Sequence, residues 1–136
     1  MLEELARALR AADATAAAAA LDDEVLLRVA VHDQPFPGVQ AARAILEVVL
    51  DGPLHAIEPG EQLTAPAADG SEVEVLTFTA GVAGYSGRAD GLLLARPAAG
   101  GRIGDLTVFL RPLAALSALA DEMGRRMDGP RPDGLA

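Results

Sequence analysis

Cysteine and tryptophan are absent from this chain, aromatic residues make up 3% of it, and its histidines are two, His32 and His55. Without cysteine there is no disulfide, no thiolate metal site and no cysteine nucleophile. The two histidines are distant in sequence, and no carboxylate-histidine spacing on one helix face resembles a ligand set, so neither a metal nor a cofactor is expected. Cations are scarce as well: 11 Lys and Arg stand against 20 Asp and Glu, for a net charge of −9. A phosphate backbone is repelled by such a surface, which argues against nucleic acid as a partner. Long apolar runs are also missing. The longest in the first third, Ala16 to Leu21, is mostly alanine and far short of the roughly 18 residues that would span a bilayer. The opening Met1-Leu2-Glu3-Glu4-Leu5 has no basic region of the kind that starts a secretory signal, so the cytoplasm is the expected location.

What is present is enough for one core. At 136 residues and 51% hydrophobic, the chain has the size of a single domain that buries roughly 70% of its unfolded surface. Leu2, Leu5, Ala6 and Leu9 recur at three- and four-residue spacing and predict an amphipathic helix over Leu2 to Ala12. Asp13 is placed to cap a second, alanine-rich helix from Ala14 to Leu21, and Asp22-Asp23 breaks the pattern. Glu24 to Val31 reads as a short strand. The prolines of His32-Asp33-Gln34-Pro35-Phe36-Pro37-Gly38 forbid helix until Gly38. A helix from about Val39 to Leu50 then carries the stripe Val39, Ala42, Ile45, Leu46, Val49, Leu50 and stops at Asp51-Gly52-Pro53.

From there the period is that of strands: Leu54 to Thr64, Glu72 to Val82, Arg88 to Ala95 and Arg102 to Leu110, with short links that predict an antiparallel meander. Leu92-Leu93-Leu94 and Leu106 to Leu110 are apolar on both faces and so should be covered on both sides. Helices can cover one side, and a second subunit is the expected cover of the other. Pro112 precedes a last helix whose stripe is Leu113, Leu116, Leu119, Met123 and Met127, and the Gly/Pro-rich tail from Asp128 is expected to be disordered. The domain is therefore expected to span 1–127 and the tail 128–136.

This order of elements, together with Gly101-Arg102-Ile103-Gly104-Asp105-Leu106-Thr107-Val108-Phe109-Leu110-Arg111-Pro112-Leu113, resembles the nuclear transport factor 2-like superfamily and its SnoaL-like domains. The resemblance implies an α+β fold: a cone of strongly curved, mostly antiparallel sheet, cystatin-like, with N-terminal helices closing its concave face. It also implies a cavity inside the cone and a homodimer through the outer face of the sheet.

Fold alone names no reaction, so the family's chemistries were set against the residues. Ketosteroid isomerase-like catalysis needs a carboxylate base and an oxyanion hole of tyrosine and protonated aspartate. Asp90 falls at the oxyanion aspartate, but the base position falls near Arg28 or Val29 and the tyrosine becomes Leu5. Limonene epoxide hydrolase-like chemistry uses an arginine and two aspartates. Arg88-Ala89-Asp90 has the Arg-x-Asp spacing, yet it lies one strand late, and the last-strand aspartate aligns with Val108.

The expected ligand site is accordingly Asp90 as the main polar anchor, with His32, Tyr85, Phe36 and Val108 as further lining. The competing structural readings are an ion pair of Asp90 with Arg88 or Arg111, an ordinary loop histidine, a rim aromatic at Tyr85, and core or interface roles for Phe36 and Phe109. Three functions stay open: binding of a small apolar molecule, acid/base catalysis of the isomerase, cyclase or hydratase type by Asp90 with His32, and a dimeric accessory module whose cone is filled.

Overall fold

The computed structural model describes residues 1–127; the tail from Asp128 lies outside the described residues. Helix α1 (Leu2–Arg10) and helix α2 (Ala14–Ala19) form as the spacing predicts, and Asp13 caps α2 through its side chain, which accepts from the Ala16 N–H at 3.0 Å. The start of α1 is tied to the sheet by Glu74, whose Oε1 accepts from the Leu2 N–H at 3.2 Å. Strand β1 (Leu21–Arg28) begins three residues earlier than expected. Asp22-Asp23 does not interrupt it, because Leu21 is paired in parallel with Ile103 on the last strand and both side chains are buried. Within the proline-rich loop a two-residue strand, β2 (Phe36–Pro37), pairs with Leu26 and Leu27. Gly38 then turns the chain into helix α3 (Val39–Val49) with φ +91°, a backbone conformation that favours glycine.

The antiparallel meander is β3 (Leu54–Pro66), β4 (Glu72–Val82), β5 (Tyr85–Pro97) and β6 (Ile103–Arg111). Strand β5 starts at Tyr85, so the link before it is shorter than Gly84 to Gly87. Parallel pairing of β1 to β6 completes a six-stranded sheet in the order β2-β1-β6-β5-β4-β3. The sheet curls because its ladders are interrupted. Register shifts fall at His55/Glu58 and Pro59/Gln62 on β3, at Gly81/Val82 between β4 and β5, and at Arg96/Pro97 between β5 and β6, and each such bulge adds bend and twist.

Helix α4 (Leu113–Arg126) follows Pro112, which is its N-cap. Its inward stripe is Ala115, Leu119 and Met123, whereas Leu113 is 76% exposed. The end of α4 is fastened to the turn after α3 by Arg126, whose Nη1 donates to the Asp51 carbonyl at 2.7 Å and whose Nε donates to Glu122 at 2.9 Å. The guanidinium lies across Gly52, where an added Cβ would stand 2.8 Å from Nη2 and where φ is +115°. Side chains from α1, α3, α4 and the concave face of the sheet thus meet in one core, and among the described residues no buried residue is polar or charged.

Candidate functional site

The core is not solid. Between the concave face and the helices lies a cavity of about 330 Å³. Its floor is the inward row of the central strands: Phe78 on β4, Leu93 on β5, Leu106 and Val108 on β6. Strand side chains alternate between faces, so these residues share one face, with Leu93 directly opposite Leu76 and Val108. Helix α1 supplies Leu5 and Leu9, α3 supplies Ile45, Leu46 and Val49 with Leu50 at its C-cap, and α4 supplies Leu119, Met123 and Gly124. The segment after β1, from Val29 to His32, and Phe36 complete the wall. An added Cβ at Gly124 would meet nothing within 4 Å. A helix-interior glycine normally costs roughly 0.5–1 kcal/mol relative to alanine; here it leaves the cavity wider.

Of the five residues expected at the site, the structure brings together His32, Phe36 and Val108. The rings of His32 and Phe36 pack at 5.4 Å between centroids with a 54° tilt. Asp90 is a correction. It is three positions from Leu93 on the same strand and therefore points to the opposite, convex face, where its side chain is 55% exposed and accepts from Arg111 Nη1 at 2.8 Å. Arg88 shares that face, as the Arg-x-Asp spacing requires, and donates to the Ala56 carbonyl at 2.8 Å and to Thr79 Oγ1 at 2.9 Å. The structural reading of Asp90, an ion pair with Arg111, is the one realised. Tyr85 is a second correction: it is half-buried at the start of β5, packs over Gly87, and is not among the residues lining the cavity.

Sequence reasoning passed over Phe78, Leu93, Gly124 and the α1 and α3 leucines as parts of the site. Phe78 pairs with Gly91 on β5, a partner that only the folded sheet assigns, so the residues alone carried no signal for it.

The side chains of the lining are aliphatic, aromatic or thioether apart from one imidazole. Among the described residues His32 is the single one there with a polar side chain, and its Nδ1 accepts from the Gln34 N–H at 3.1 Å. Arg28, Asp69 and Glu122, whose proton affinities the fold does shift, stand outside the cavity. Arg28 is raised by its hydrogen bonds and charge pairing with Asp105, Asp69 is lowered by the Ser71 hydroxyl and N–H, and Glu122 is lowered by Arg125 and Arg126. No group of three or more His, Cys, Asp or Glu able to hold a metal occurs among the described residues. No described helix is long and apolar enough to cross a membrane. What the arrangement can do chemically is enclose an apolar body and make one hydrogen bond to it.

No protein-family model matches the chain, and no curated protein sequence matches it. Among solved structures it is similar to a steroid delta-isomerase from Pseudomonas aeruginosa, at 30% identity over 93% of this chain and 88% of that one, with a TM-score of 0.79. An uncharacterized protein with a cystatin-like fold from Silicibacter pomeroyi DSS-3 is similar at 21% identity over 95% of this chain and 86% of that one, with a TM-score of 0.82. The orange carotenoid protein of Anabaena (Nostoc) sp. PCC 7120, solved with canthaxanthin bound, is similar at 15% identity over 85% of this chain and 37% of that one, with a TM-score of 0.66.

Proposed function

The chain belongs to the nuclear transport factor 2-like superfamily, and from that premise we propose that it is a binding protein for a small, uncharged, largely apolar molecule held inside the cone. The observation that carries this reading is the composition of the cavity wall: among the described residues that line it, His32 alone has a polar side chain. Deep apolar pockets with very few polar groups are built for binding. Proton transfer at carbon needs a base and a stabiliser for the developing charge. A steroid isomerase is among the structures this chain resembles, but among the described residues no carboxylate lines the cavity to serve as base, and Asp90 faces away from His32 across the sheet. Binding without turnover is therefore favoured over the acid/base alternative.

The test uses N-phenyl-1-naphthylamine, an uncharged fluorophore that brightens on leaving water. Saturable one-to-one binding is expected, and titration with no saturable component sinks the container reading.

The convex face supports a second part of the proposal, a homodimer. Leu92 and Leu94 are half-buried there, Phe109 is 51% exposed and Leu63 53% exposed. Leu92 pairs directly with Phe109, and Leu94 with Val75, so these side chains form contiguous rows rather than scattered exposures. Light scattering after size exclusion should give a dimer mass for the parent and a monomer mass for Phe109→Glu, which places like charges at the centre of a two-fold contact. A parent that stays monomeric at tens of micromolar removes the dimer from the reading.

A further inference from the structure

Resting on the binding reading, we propose that His32 selects the ligand's polar end: the cavity takes an uncharged molecule whose single polar function is a hydrogen-bond acceptor oxygen, a carbonyl or ether, received by the His32 Nε2–H. The first support is the direction of the hydrogen bond already made by the ring. The Gln34 N–H donates to Nδ1 at 3.1 Å, which requires a lone pair on Nδ1. A neutral imidazole then carries its proton on Nε2. Among the described residues no group accepts from that Nε2–H, so the ring presents a donor with no protein partner. A ligand must accept there rather than donate.

The second support is location. The His32 side chain is 25% exposed and also lines the cavity, so the ring stands where the hollow meets solvent. Phe36 packs against it and limits how far the ring can swing. Among the described residues the rest of the wall offers no polar side chain, so a second polar group carried deeper would be stripped of water with no side-chain partner. That favours a ligand with one polar function, at the end nearest the mouth.

Charge supplies the third support. Among the described residues of the lining, an anionic acceptor such as a carboxylate would meet no lysine or arginine. The ring's other nitrogen, Nδ1, has the Asp33 carboxylate 3.7 Å away, in a protein of net charge −9. Desolvation of an anion with no cation to offset it disfavours the charged ligand. Neutral carbonyl and ether oxygens carry no such penalty.

The experiment compares three probes of one shape by displacement of N-phenyl-1-naphthylamine: 2-acetonaphthone, its methylene isostere 2-isopropenylnaphthalene, and 2-naphthoate. In the parent, the affinity ratio of ketone to isostere should exceed that in His32→Phe by roughly 2- to 12-fold, the effect of one neutral hydrogen bond. The naphthoate anion should compete much more weakly than the ketone. The carbonyl stretch of 13C-labelled 2-acetonaphthone bound to the parent should lie below its position in hexane, a reading that depends on no variant folding. Binding of both neutral probes with a ratio untouched by His32→Phe, or a bound carbonyl stretch at the hexane position, overturns the His32 assignment and leaves the container standing. Naphthoate competing as well as the ketone overturns the selection against charge. Failure of every probe to displace the fluorophore would instead count against the cavity as the binding site.

Discussion

Gly91→Ala is expected to abolish binding of N-phenyl-1-naphthylamine in a protein that still folds. Gly91 on β5 faces Phe78 on β4, and a Cβ added there would lie 2.0 Å from the Phe78 Cζ and within 2.5 Å of both Cε atoms. No carbon tolerates such an approach, so the ring must leave. Phe78 is 5% exposed and belongs to the buried core, and the side open to it is the cavity it already lines. The ring therefore swings inward and occupies ligand space.

Overpacking of this kind costs about 1–3 kcal/mol, set against about 0.5–1 kcal/mol recovered by replacing a strand-interior glycine. The net loss is a modest part of the 5–15 kcal/mol typical of a domain. Thermal unfolding should fall by several degrees while the far-ultraviolet circular dichroism is kept. Adding Phe78→Leu should restore both stability and binding, a coupling that a double-mutant cycle measures directly. Parent-like binding by Gly91→Ala alone would mean that the fluorophore sits elsewhere.

Leu93→Asp is expected to cost more than any other single change considered, and by an amount that depends on pH. Leu93 is 4% exposed at the centre of β5, between Leu76 and Val108, and its side chain forms part of the cavity floor. Removing the leucine forfeits about 2–5 kcal/mol of packing and transfer free energy. A carboxylate in its place meets no cation among the described residues of the lining, so desolvation disfavours its charged form and raises its pKa in the folded state above the unfolded value of about 3.9.

The sign follows from linkage. Below the unfolded pKa both states are protonated and only the packing loss is felt. As pH rises from there toward the folded pKa, the unfolded state gains by ionising and the folded state does not, so the deficit grows before levelling off above it. Urea midpoints of parent and variant should differ least near pH 4 and most at neutral pH, where the variant approaches the limit of folding. An equal difference at both pH values would show that position 93 is hydrated and that the cavity is not dry.

Much of the frame is legible in the residues. Leucines at helical spacing place α1, α3 and α4, and Asp13 marks the start of α2. Glycine and proline clusters separate β3 from β4 and β5 from β6. The misses have physical causes. Asp22-Asp23 looks like a break because two acids seldom sit inside a strand, yet pairing of β1 with the distant β6 carries the strand through them. The two residues of β2 hold no local signal and exist only because Leu26 and Leu27 offer them a partner.

Asp90 shows the limit most clearly. Alternation assigns faces only when one face is polar, and Leu92-Leu93-Leu94 is apolar throughout, so nothing in the run says whether Leu92 or Leu93 looks into the cone. Asp90 lies an odd number of residues from Leu93 and goes to the other side with Leu92.

By itself the sequence determined the kinds of element, most of their order and the net acidic charge, because propensity, periodicity and composition are properties of neighbouring residues. Only the folded chain decided which face of the curled sheet is concave, that α4 walls a hollow instead of filling it, and that among the described residues His32 alone brings a polar side chain to that hollow. Those outcomes depend on strand bulges and on contacts between residues far apart along the chain, where no local pattern reaches.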